Sequence, residues 1–194
     1  MATSWWHRFA WPVFLGYVAA VFGALPFARD LVLALRSTNL LAGSVTAVYA
    51  ASVAVVVYHV VFDLRASDWL AFAVVALLIG VIAALLLGLS IPEERVHFLQ
   101  YAVMALLARN ALSSRRPGQV GAARALLGAV VLTSALGVAD EGVQWLLPQR
   151  VFDLRDIWLN VGAVVVGLAL DEALHDRTGL RARLLVPTAT GGDP

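Results

Sequence analysis

Residues 69–91 read WLAFAVVALLIGVIAALLLGLSI and contain no ionisable side chain. That is about the ~20 apolar residues an α-helix needs to cross the hydrocarbon of a bilayer. Working outward, similar runs occupy 11–28, 40–62, 96–112, 122–147 and 157–170. The pattern predicts an all-α protein: a polytopic transmembrane helix bundle of about six spans. The runs at 96–112 and 157–170 are short and begin at polar motifs, so each is expected to extend into the headgroup region.

Composition agrees. The chain has 194 residues, is 61% hydrophobic and only 14% charged, whereas soluble domains average about 45–50% apolar. An integral, multi-pass protein of the cell membrane is the expectation, with membrane lipids as its first partners. With no cysteine, disulfides, thiolate nucleophiles and thiolate metal sites are excluded. All 14 basic residues are arginines scattered among the loops, which is not a nucleic-acid footprint, and no nucleic-acid partner is expected.

The first run contains Pro12 and Pro26 and lacks a small-x-small cleavage site, so it is read as a retained span and not as a secretory signal. Residues 29–36 are amphipathic and too short to cross. They are read as lying along the interface, with simple extension of a neighbouring span as the alternative. With the N-terminus inside, nine arginines (Arg8, Arg65, Arg109, Arg115, Arg116, Arg124, Arg177, Arg181 and Arg183) fall on the cytoplasmic side. Five (Arg29, Arg36, Arg95, Arg150 and Arg155) fall outside. The positive-inside rule therefore favours N-in/C-in. Trp145 and Trp158 flank the last hairpin as an aromatic belt would. One domain is expected over 1–187, with its motif core at 91–170 and a flexible C-terminal tail at 188–194.

Three polar clusters interrupt this chain. The first runs Pro92-Glu93-Glu94-Arg95-Val96-His97-Phe98-Leu99-Gln100-Tyr101, the second Asp140-Glu141-Gly142-Val143-Gln144, and the third leads from Arg150 through Asp153 and Asp156 to Asn160. The links after the third and fifth spans are two crossings apart, so all three clusters emerge on one membrane face, which the arginines make extracytoplasmic. Glu94, His97 and Tyr101 stand at i, i+3 and i+7, one helical stripe. Asp140, Glu141 and Gln144 share a second face, and Asp153, Asp156 and Asn160 a third. Stripes of this kind cannot face lipid and must turn inward or toward a hydrated recess.

On these residues the chain resembles the VanZ-like family, small multi-span membrane proteins named after one associated with resistance to the glycopeptide teicoplanin. The family's first motif, an acidic residue, then His-Phe and a Tyr on the next turn, is matched by Glu93 or Glu94, His97, Phe98 and Tyr101. Its second, Asp-Glu-x-x-Gln followed by a Pro-containing turn, Arg, Asp and Asn, is matched by Asp140, Glu141, Gln144, Pro148, Arg150, Asp156 and Asn160. The chain departs from the pattern at Glu94 or Arg95 where a Lys is common, at Gln149 where a Gly is usual, and at Gly162, one position early. The resemblance covers about 91–170 and implies a role in the cell envelope or in the response to glycopeptide antibiotics.

Several chemistries fit such a cluster. His97 with a carboxylate could serve acid–base catalysis, and an imidazole among carboxylates suits a transition metal. No paired-histidine spacing supports a metal site, however, and neither a metal nor another cofactor is expected. No residue is assigned a catalytic role. Arg150 or Arg155 can neutralise Asp140, Glu141, Asp153 or Asp156 in a purely structural network. Alternatively, Arg150 can take a phosphate or carboxylate bidentately, with His97 and Gln144 as added donors. The leading expectation is an extracytoplasmic polar pocket for an anionic, lipid-like or lipid-linked ligand. A non-catalytic accessory subunit of a larger membrane complex is the alternative, and an enzyme acting on lipid-linked substrates the third. Glu172, His175 and Asp176 are read as a solvated face at the inner end of the last span, and Gly80, Gly88 and Gly162 as points of close helix approach.

Overall fold

The helix that begins with the first polar motif holds the molecule together. The computed structural model describes residues 3–63, 69–88, 92–114, 121–147 and 152–175. Among the described residues there are six α-helices and no strand: α1 (Thr3–Ser37), α2 (Leu40–Asp63), α3 (Trp69–Gly88), α4 (Pro92–Ser114), α5 (Ala122–Leu146) and α6 (Leu154–His175). Each apolar run thus corresponds to one helix. By length and apolarity, Arg8–Ser37 of α1 and Ala122–Leu146 of α5 suffice to cross a membrane, while Gly43–Val55 and Val75–Ala84 are shorter apolar stretches. The stretch 188–194, expected as a tail, lies outside the described residues.

α4 packs most extensively on α6, then on α5 and α1, and more lightly on α2, while α3 leans on α6. The reason is legible in its side chains. Phe98, Tyr101, Met104, Ala105, Ala108 and Ala111, spaced by three or four residues, form one buried stripe, the geometry of a helix face. Ala129 of α5 and Ala163, Val164 and Leu168 of α6 complete this core, and Ala10 and Phe14 of α1 close it. The many alanines let backbones approach. The closest approach is at Gly167, where a Cβ would lie 3.0 Å from the Ala102 Cβ and 3.1 Å from its Cα. No such contact exists at Gly80, Gly88 or Gly162, around which a Cβ would meet nothing within 4 Å; the predicted glycines are not the ones at the helix crossings.

α1 corrects the reading of 29–36 as a separate interfacial piece. The segment continues α1 without a break to Ser37, giving a helix of roughly 52 Å at 1.5 Å per residue. Pro26 lies inside it, so the Phe22 carbonyl lacks its usual helical donor. The helix stops where Asn39 adopts the left-handed conformation (φ 57°) and donates its N–H to the Arg36 carbonyl at 3.1 Å. Asparagine is one of the few residues that tolerate this conformation.

The outside of the bundle is apolar on several helices. Phe27 and Leu31 of α1, Val55 of α2, Leu77 of α3, Leu127 and Val131 of α5 and Val165 of α6 are all exposed. Two hydroxyls join the outer helices to α4: Tyr17 donates to the Gln100 carbonyl at 3.2 Å, and Tyr49 donates to the Arg95 carbonyl.

Candidate functional site

Three helix termini meet at one end of the bundle. α4 starts there, α5 ends there and α6 starts there, so α4 and α6 run in the same direction with α5 opposed. The start of α6 is fixed by Asp153. Its Oδ1 accepts the Arg155 N–H at 2.8 Å and its carbonyl accepts the Asp156 N–H at 3.2 Å, the pattern of a helix N-cap. The Asp153 N–H donates in turn to Glu141 Oε2 at 3.3 Å, which ties α6 to the last turns of α5. Glu141 Oε1 accepts from Gln144 Nε2 at 3.3 Å, and both side chains are buried.

Deeper in, Tyr101 stands between α5 and α6. Its hydroxyl donates to Asp140 Oδ2 at 2.9 Å, and neither residue is exposed at all. His97 Nδ1 lies 3.9 Å from that same oxygen, too far for a hydrogen bond but close enough for charge attraction whenever the imidazole is protonated. Beside the tyrosine ring, α5 presents Gly137. A Cβ there would come within 3.2 Å of the Asn160 Cβ and 3.4 Å of Tyr101 Cε1, so the bare backbone is what lets three helices close around the tyrosine. Nothing in the sequence reading singled out Gly137. Its signal was a glycine one turn before an Asp-Glu pair.

Four polar atoms in this cluster are buried without a hydrogen-bond partner among the described residues: Asp140 Oδ1, His97 Nδ1, and both Asn160 Nδ2 and Oδ1. Native interiors rarely leave such atoms unpaired, because each costs about 1–3 kcal/mol. Together they offer a carboxylate oxygen, an amide oxygen, an amide N–H group and an imidazole nitrogen. That set matches a polar group carrying both donors and acceptors. No group of three or more His, Asp or Glu side chains among the described residues is arranged to hold a metal ion.

Most of the predicted residues are brought together here: His97, Tyr101, Asp140, Glu141, Gln144, Asp156 and Asn160, with Glu94 one turn before His97 on α4. Asp156 is half-buried and Asn160 fully buried. Asp153 departs from its expected stripe: it is exposed and precedes the helix, where its side chain caps the helix instead of pointing inward. Arg150, expected to balance the carboxylates or to bind an anion, lies outside the described residues together with Pro148 and Gln149.

His97 also lines a groove of about 890 Å³ between α1 and α4, with Leu41 of α2 at its side. At the far end of α4 and α6 there is a second polar cluster that the sequence reading did not join. The Arg109 guanidinium pairs through one nitrogen with Asp171 and through the other with Glu172. Glu172 therefore belongs to an ion-paired group and not to a simple solvated face. The available signal was Arg109 itself, a permanent charge inside the apolar run 96–112, which must have a partner. No family model matches the chain, and neither a curated protein nor a solved structure does.

Proposed function

We propose that this chain is a VanZ-like protein of the bacterial cell membrane, crossing it with α1 to α6 and with both termini in the cytoplasm. At the extracytoplasmic ends of α4, α5 and α6 it presents a polar pocket for an anionic or lipid-like ligand, in the service of the cell envelope or of the response to glycopeptide antibiotics. The membrane reading is supported by the apolar exterior. A core helix of a soluble protein would be mostly buried, whereas the apolar windows of α1 and α5 are 6% and 22% buried. Exposed Trp145 and Trp158 on the two helices of the last hairpin suit an interfacial belt. The pocket reading is carried by one observation: the unpaired buried atoms of Asp140, His97 and Asn160 at the end where the three motifs meet.

The test uses protein purified from its native membrane in mild detergent, with mass spectrometry of the small molecules it retains. His97→Ala and Gln144→Ala remove no permanent charge, so abundance and helical content are expected to hold even though Gln144→Ala also removes the hydrogen bond to Glu141 Oε1, while the retained species falls sharply. Unchanged retention in both variants, with a stable protein partner co-purifying, would overturn the pocket and favour the accessory-subunit reading.

A further inference from the structure

The groove between α1 and α4 has a shape and a polarity of its own. Its lining on α1 extends from Tyr17 to Arg36, roughly 28 Å along a helix, so it is long and narrow. Its volume of about 890 Å³ falls within the range of about 300–1,000 Å³ typical of small-molecule sites. One part is walled largely by Ala20 and Ala24 of α1 and by Leu99 and Val103 of α4, with Tyr17, His97 and Gln100 as its polar members. Arg29 and Arg36 line the other part; seven residues apart, they share one face of α1. An elongated cleft, apolar at one end and cationic at the other, has the polarity of an anionic amphiphile. His97 lines the cleft and also lies 3.9 Å from Asp140, so one residue is common to the cleft and the polar cluster.

We propose that this groove binds an anionic membrane phospholipid, with an acyl chain laid along Ala20 and Ala24 against α4 and the phosphate held by Arg29 and Arg36. The proposal rests on the membrane reading above and adds a lipid site distinct from the pocket at the helix ends. Guanidinium groups suit phosphate because their planar fork matches two oxygens at once. The apolar walls supply the dispersion contacts that hold the chain, and those contacts do not discriminate between headgroups. Selectivity is therefore assigned to the arginines and occupancy to the walls, which makes the two separable.

The experiment is native mass spectrometry of the full-length protein in a non-ionic detergent, incubated with either phosphatidylglycerol or phosphatidylcholine. The wild type is expected to retain phosphatidylglycerol about tenfold better, as two charge-assisted contacts allow. Ala24→Trp fills the groove and is expected to abolish retention of both lipids. Ala20→Trp is a second such variant should the first not fold, and both alanines are exposed, so neither change intrudes on the core. Arg29→Gln combined with Arg36→Gln should reduce phosphatidylglycerol to the phosphatidylcholine level. Val131→Trp, on an exposed face of α5, should change nothing. Equal retention of the two lipids by the wild type, or retention indifferent to both groove-filling variants, overturns the proposal. If His97→Ala and Gln144→Ala release the native ligand while the groove variants keep phosphatidylglycerol, the pocket reading stands and the groove assignment falls. If the groove variants lose phosphatidylglycerol while the pocket variants keep the native ligand, the groove assignment stands and the pocket reading falls.

Discussion

The two ends of the α4–α6 pair carry polar clusters of opposite character. At one end Arg109 meets Asp171 and Glu172, a cation between two carboxylates, and all three side chains keep partial exposure at 17%, 24% and 33%. At the other, Asp140 and Asn160 are wholly enclosed and some of their hydrogen-bonding atoms have no partner among the described residues. The first arrangement has its charges matched and its desolvation moderate, as a fastening requires. The second holds hydrogen-bonding capacity that no described residue meets, where leaving it unmet is most costly. Matched polar groups inside a helical bundle hold it together; unmatched ones point to something the bundle binds.

The strongest way to break that contrast is Arg109→Ala. Its removal leaves two carboxylates facing each other without a counter-charge, and breaking a buried ion pair in this way costs about 3–5 kcal/mol. The residual exposure lowers the expected loss to about 2–3 kcal/mol, read as a lower melting temperature in detergent. Ligand retention at the other end should survive in the fraction that remains folded. Melting behaviour equal to wild type would remove the fastening from the comparison.

A smaller effect is expected from Gly137→Ala. The new methyl would press on Asn160 and Tyr101 at 3.2 and 3.4 Å, and overpacking of this kind costs about 1–3 kcal/mol. Both stability and ligand retention should fall together, because the Tyr101–Asp140 hydrogen bond depends on the same close approach. A variant that lost stability but retained ligand would separate the helix crossing from the site.

Asn160→Leu should have the smallest effect on stability and is the sharpest test. Replacing a buried amide that has no partner among the described residues by an apolar side chain of similar shape is close to neutral or stabilising. The melting temperature should hold or rise, while the retained ligand is lost. A clear fall in stability would show that Asn160 is satisfied within the fold and would make the two clusters alike.

How much of this was readable beforehand follows from the physics of each element. Apolar run length marked all six helices, because a run of hydrocarbon side chains has few other outcomes. The ends of α4 and α6 lay beyond the runs at 96–112 and 157–170, since hydropathy stops at the first charged residues while backbone hydrogen bonding continues through them to Pro92 and Leu154. His97, Tyr101, Asp140 and Asn160 were legible as one group through helical spacing and the argument that two crossings return the chain to the same side. Arg109 with Asp171 and Glu172 was not, because partners 62 and 63 residues apart leave no local pattern. Gly137 stayed hidden for a related reason: which glycine faces a neighbour depends on the rotation of the helix about its axis, and α5 carries three glycines, Gly128, Gly137 and Gly142, of which only the packing singles out the one beside Tyr101 and Asn160.

The dependence of α4 on α6 bears on how the chain is made. α4 leaves the ribosome with Arg109 already in place, yet Asp140 comes 39 residues after Tyr101, and Asp171 and Glu172 are synthesised more than 60 residues after Arg109. Until then its charge has no counterpart from α6, and the alanine face that α6 will cover stands open. Assembly of the bundle is therefore a late event, completed by the last helix, and the nascent chain passes through a stage in which its central helix is its least settled part. Nascent chains ending before Leu154 should be the ones most readily degraded, since they contain every element of the core except the one that locks it.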